Sequence, residues 1–183
     1  HESQRRSTLH AQVVQQSPTW WKGSKSLRLE FASTLIPMRT NAPSTLAENW
    51  RAVRDAFLLR SVGDQIEEIR AGIAASHLRG LAETLDVPQT AVFRLVGLSP
   101  SVARRCISLN KKLNPSASER LLMIGAIESR AITVFGCADL AHTWLLTRNI
   151  SLGNVSPLSL LDTEPGVQEI ARILNAIEYG GAV

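Results

Sequence analysis

The chain has 183 residues, 44% of them hydrophobic, and a formal net charge of +4; it is long enough for one medium domain or two small ones, and too apolar for wholesale disorder. No apolar run approaches the roughly 18 residues that span a bilayer, and the start has no signal-peptide core, so a cytoplasmic location is the expectation. The two cysteines, Cys106 and Cys137, suit neither a disulfide framework nor a zinc site.

Residues 1–45 read as an N-terminal arm, partly flexible. A chain beginning on His1 rather than Met is expected to be processed or truncated there. Loop-like stretches surround Leu27–Ile36, which reads as a short strand or helix. Trp20 and Trp21 beside Lys22 and Lys25 suit local packing, or stacking on bases or a partner's side chains.

From Leu46 onward the pattern is helical. In LAENWRAVRDAFLLR, the residues Leu46, Trp50, Val53, Phe57 and Leu58 share one side at 3.6-residue spacing. A shorter piece, IEEIRAGI, breaks near Gly72. Ser76 is expected to cap SHLRGLAETL; Asp86-Val87-Pro88 ends it and puts Pro88 at the first position of QTAVFRLV. Gly97 stops that helix, and Ser99 with Pro100 opens SPSVARRCISLN. After Asn114-Pro115, Ser116 and Glu119 predict a capping box for a long helix, SERLLMIGAIESRAITVF, closed by Gly136. ADLAHTWLLT turns Leu140, Trp144 and Leu145 inward, and the chain reverses at Leu152-Gly153-Asn154. Ser156-Pro157 starts a single helical turn. Asp162-Thr163 then caps a last helix whose Val167, Ile170, Leu174 and Ile177 form one apolar stripe. No strand alternation follows residue 46. The expected class is all-α, with a helix-turn-helix domain over 46–115 and a small helical domain over 116–183.

Charge is distributed unevenly along these elements. Residues 116–183 carry four Lys/Arg against seven acids, whereas no acid lies between Asp86 and Glu119, an interval holding Arg94, Arg104, Arg105, Lys111 and Lys112. Such a split suggests two surfaces with different partners; a solvated charged face is the plainer reading. TAVFRLVGLSPSVARRCI has the form of a helix-turn-helix, with Gly97 supplying positive φ in the turn and Val92, Leu95, Leu98, Val102 and Ile107 facing the core. On this reading Arg104 or Arg105 contacts base edges of double-stranded DNA, while Ser99, Ser101, Lys111 and Lys112 complete the contact set. LAETLDVPQTAVFRL, one helix earlier, fits the same pattern with Asp86 at the glycine position. The later pair is preferred for its glycine and arginines, and an ordinary helical bundle with surface arginines stays open beside both.

Catalytic chemistry is not legible. Cys137 and His142 are five apart on one helix, which points their side chains away from each other, and Asp162 with Glu164 reads as helix-start chemistry. There is no glycine-rich phosphate loop. No catalytic residue, cofactor or metal is expected.

The most specific stretch is VFGCADLAHTWLLTRNISLGNVSPLSLLDTEPGVQEIARILNAIEYG. Val134-Phe135-Gly136, Ala141 with Trp144-Leu145, Leu152-Gly153 before Pro157-Leu158, Leu161-Asp162-Thr163 with Gly166, and Ile177-Glu178-Tyr179-Gly180 occur in order. It resembles the C-terminal toxin-binding domain of the Xre/MbcA/ParS antitoxins, and the preceding Arg104-Arg105 and Ser118–Leu122 resemble the join between that family's domains. Asn154 departs from the pattern, where a second glycine usually follows Leu-Gly, and so does Thr147-Arg148-Asn149, where a proline commonly precedes the asparagine. The resemblance implies a type II antitoxin that masks a cognate RES-domain toxin consuming NAD+, forms a homodimer within a larger complex and represses its own operon. If the module masks an NAD+ pocket in this way, the expected toxin contacts are Asp162, Glu164, Ile177, Glu178, Tyr179, Gly180 and Gly181, with Glu178 pairing with toxin arginines; the plainer reading is that Glu178 and Tyr179 finish the helix and Gly180 is its C′ residue. A stand-alone helix-turn-helix regulator, whose acidic half dimerises or senses a ligand, is the alternative.

Overall fold

The computed structural model describes residues 44–179. The readings on Trp20, Trp21 and Leu27–Ile36, and those on Gly180 and Gly181, lie outside the described residues. Among the described residues the chain is all-α: α1 Thr45–Leu58, α2 Val62–Ala71, α3 His77–Thr84, α4 Gln89–Leu95, α5 Pro100–Ser108, α6 Pro115–Phe135, α7 Ala138–Leu146 and α8 Glu164–Tyr179. Single 3-10 turns at Ile150–Leu152 and Pro157–Leu160 lead into α8. Strand-type pairing among the described residues is limited to two isolated antiparallel bridges, Ala74 with Lys112 and Asn149 with Val155.

The long helix α6 organises the rest. Its apolar residues run all the way round, because α1 and α2 pack on one part of it and α7 and α8 on another. One connected core therefore reaches from Trp50, Leu78 and Phe93 through Leu121 and Ile124 to Leu145, Ile170 and Leu174; each such fully buried side chain contributes about 1.5–3 kcal/mol. Trp50, with no exposed surface, is clasped between two glycines. A Cβ on Gly80 would stand 2.6 Å from the Trp50 Cβ and 2.5 Å from the Leu46 carbonyl oxygen, and one on Gly125 would stand 2.7 Å from Trp50 Cζ2.

Three successive helices end in the same way. After α3, α4 and α5 the left-handed position is held by Asp86 (φ 52°), Gly97 (φ 73°) and Asn110 (φ 48°). In each case the next N–H reaches back to close the helix: Val87 donates to the Ala82 carbonyl at 3.0 Å, Leu98 to Phe93 at 2.8 Å and Lys111 to Cys106 at 2.9 Å. This is the Schellman arrangement, which satisfies carbonyls the helix leaves unpaired. Asp and Asn tolerate the conformation better than other non-glycine residues.

Several local expectations are corrected. The cap of α6 is Asn114, whose side chain accepts from the Ala117 N–H at 2.8 Å with Pro115 at the first position; Ser116 is already inside the helix and makes no capping box. Ser76 precedes α3 in helical conformation without a side-chain cap bond, and Pro88 is the cap position of α4 rather than its first residue. Leu58 and Val102, both expected inward, are 37% and 49% exposed. On α1 the buried place goes to Arg54, and on α5 to Ala103. Asn154 takes φ 64° directly after Gly153 at 74°, so the departure from a second glycine leaves a left-handed turn in place.

Candidate functional site

Two surface regions and one buried network carry the chemistry. The first region is α5 and the turn after it. Ser99 caps α5, its Oγ accepting from the Val102 N–H at 3.4 Å and lying 3.2 Å from Ser101 Oγ. Ala103 is the one residue α5 buries, which leaves Ser101, Arg104 and Arg105 exposed on a short helix. Lys111 and Lys112, also exposed, are fixed by backbone rather than by packing. The Ala75 N–H donates to the Lys111 carbonyl at 2.9 Å and the Leu113 N–H to Ile73 at 2.8 Å. All six residues expected to contact DNA thus lie on α5, its cap or the turn that follows it. Three further exposed polar residues lie outside that expected set. Gln89 and Thr90 are exposed in the first turn of α4, and the Arg120 guanidinium would stand 3.0 Å from a Cβ on Gly97.

The second region is α8, where the expected contacts fall into two separate sets. Asp162 and Glu164 are exposed at its start. There Thr163 Oγ1 accepts from the Gly166 N–H at 3.2 Å, and Glu164 accepts from Gln168 at 3.1 Å. Glu178 and Tyr179 are at its other end, about 21 Å away at 1.5 Å per residue. Ile177 is half-buried against the core, whereas Tyr179 is 78% exposed. Glu178 already has a partner, because Arg130 Nη2 donates to its carboxylate and, at 3.0 Å, to Asn175 Oδ1. Nothing near Arg130 in sequence signals this; it follows from α8 lying along α6.

The buried network joins α1, α6 and α7. Glu128, 1% exposed, places Oε2 3.0 Å from Arg54 Nη1 and Oε1 3.0 Å from His142 Nε2. The Arg54–Glu128 contact is an ion pair rather than a well-formed hydrogen bond, since Nη1 and Oε2 lack hydrogen-bond geometry to any partner. Burial opposes the Arg54 charge, yet the hydrogen bond to Asp55 and the field of Glu128 raise its pKa above the ordinary value. His142 faces Glu128 and is only partly buried, in keeping with a structural role. Near α1, His77 lies against the Trp50 ring, with centroids 6.2 Å apart, and burial lowers its pKa below 6.5. Among the described residues no group of three or more His, Cys, Asp or Glu is placed to hold a metal ion. No single described helix is long and apolar enough to cross a membrane.

Comparison with known proteins divides the chain along the same lines. Residues 64–124 match the antitoxin Xre-like helix-turn-helix domain, and residues 130–180 match the antitoxin Xre/MbcA/ParS C-terminal toxin-binding domain. The Prs ADP-ribosylating antitoxin of Sphingobium sp. (strain YBL2) is 30% identical over 126 residues, 64% of this chain and 79% of that protein. Antitoxin Xre of Yersinia enterocolitica is 26% identical over 145 residues, 78% of this chain and 98% of that protein. Antitoxin Xre of Photorhabdus laumondii is 32% identical over 91 residues, 49% of this chain and 61% of its own length. With a helix-turn-helix unit and a toxin-binding unit in this order along an all-α chain, the protein belongs to the Xre/MbcA/ParS family of antitoxins.

Proposed function

We propose that this antitoxin neutralises a RES-domain toxin that degrades NAD+, by covering the toxin's active site with the end of α8 and the residues after it. The helical unit up to residue 115 grips the operator of its own operon as part of a homodimer, and the unit from residue 116 holds the toxin. The observation that carries the masking reading is the tether on Glu178. Arg130 and Asn175 fix the last turn of α8 to α6, so Glu178 is presented in a set place rather than on a loose end. A carboxylate has lone pairs for more than one guanidinium, which lets Glu178 keep Arg130 and still accept from toxin arginines. Tyr179 is exposed beside it.

The test is deletion of residues 178–183. Co-expressed with its toxin, the truncated antitoxin should let NAD+ fall while still binding operator DNA. Full neutralisation by the truncated chain would remove the masking reading.

For the DNA contact, α5 with Arg104 and Arg105 is the proposed reading helix. One observation favours a second reading. The backbone closure of α3 repeats that of α4 bond for bond, and α4 is better anchored than α5, with Val92, Phe93 and Leu95 buried. In that register Gln89, Thr90 and Arg94 face the bases.

A further inference from the structure

The end of α7 and the loop between α7 and α8 show apolar side chains to water. Ile150 is 85% exposed, Leu146 39% and Val155 37%. The backbone beneath them is tied down. The Asn149 N–H donates to the Val155 carbonyl at 3.0 Å, the Asn154 N–H to the Asn149 carbonyl at 2.9 Å, and Asn149 Oδ1 accepts from the Ser151 N–H at 2.9 Å. Leu152 meanwhile tucks against the core. Ile150 is therefore held out on a constrained loop. Exposed apolar groups displayed from a rigid element mark interaction surfaces, and a preorganised anchor binds at lower entropic cost.

We propose that Ile150, flanked by Leu146 and Val155, is a second anchor for the toxin, seated in an apolar depression on the toxin with an acidic edge facing Arg148. The inference rests on the toxin-binding reading of residues 130–180, the unit to which the whole loop belongs. Two further observations make the loop continuous with the toxin-binding surface proposed for α8. Asp162 and Glu164 are exposed at the start of α8, about 21 Å from Glu178, so a contact at the end of the helix leaves them uncovered. The loop leads through the Pro157–Leu160 turn, which packs on both α7 and α8, directly into those two acids. The knob and the start of α8 then form one contact and the end of α8 another.

The experiment measures three properties of the full chain and of its Ile150→Asp and Ile150→Ala variants: affinity for the cognate RES-domain toxin, mass in sedimentation, and operator binding. The Asp variant should bind toxin roughly tenfold or more weakly and the Ala variant less so, with mass and operator affinity as in the wild type. Wild-type toxin affinity in Ile150→Asp would overturn the proposal. So would a drop in mass with toxin binding kept, because the occupant would then be a second copy of the chain. The masking reading fails separately: a bound toxin that still consumes NAD+ removes it, while a toxin affinity that still depends on Ile150 upholds the anchor.

Discussion

Glu128, 1% exposed, faces Arg54 and His142, and neither partner is legible from its position in the sequence. The stripe at Trp50, Val53 and Phe57 leaves position 54 at its edge, and no helical period reveals that an acid far along the chain will cover it. His142 was legible as a helix residue pointing away from Cys137, but its carboxylate partner was not. The network makes a definite demand on stability. Removing one member of a buried pair leaves the other uncompensated, which costs about 3–5 kcal/mol, whereas replacing both with apolar residues is often neutral. Glu128→Gln should lower the urea unfolding free energy by about 3 kcal/mol, and combining Arg54→Met with Glu128→Leu should recover most of that loss. A second residue-scale effect depends on pH. Because His77 has a folded pKa below 6.5, the unfolded chain takes up its proton first on acidification. Stability from this group is therefore complete above 6.5 and falls as pH drops below it. His77→Gln should flatten that limb of a melting-temperature profile, and an unchanged limb would assign the acid sensitivity to other groups.

Helices were legible as elements because their breaks are written in residue type: Gly72, Gly97, Gly136 and the prolines at 88, 100, 115 and 157 bound what the structure shows. What sequence could not settle was which helix pair reads DNA, and the reason is structural. Asp86, Gly97 and Asn110 close three consecutive helices with one motif, so the helix-turn-helix pattern fits twice. Nor could it fix the cap of α6, where Asn114 and Ser116 are both good capping types and only the geometry chooses. How closely α1 and α3 approach was equally hidden, because Gly80 reads as a helix-weakening residue until Trp50 and Leu46 are placed over it. Gly80→Ala should be destabilising despite alanine's better helix propensity. Its methyl meets backbone and Cβ atoms that cannot swing away, and overpacking of this kind costs typically about 1–3 kcal/mol. Chemical denaturation decides the sign: a stabilised variant would mean that α1 is free to slide on α3.

At the scale of the molecule, the acidic and basic halves share α6 and one core, yet their surfaces are separate in sequence and in chemistry. That separation makes the DNA surface testable without the toxin. Lysines on phosphates and arginines on bases leave different signatures. Each phosphate neutralised adds about 0.9 to the slope of log affinity against log salt, regardless of sequence. A bidentate arginine is worth about 1–3 kcal/mol at one base pair. Lys111→Ala should therefore weaken specific and non-specific duplex alike and reduce the salt slope by about 1. Arg104→Ala should weaken the operator more than random duplex and relax preference at one position, with toxin neutralisation intact. The same titration run on Gln89→Ala decides between the two registers, since glutamine reads adenine through paired hydrogen bonds. If Gln89→Ala relaxes base preference while Arg104→Ala leaves it untouched, α4 is the reading helix and the arginines of α5 are moved to the phosphates beside it.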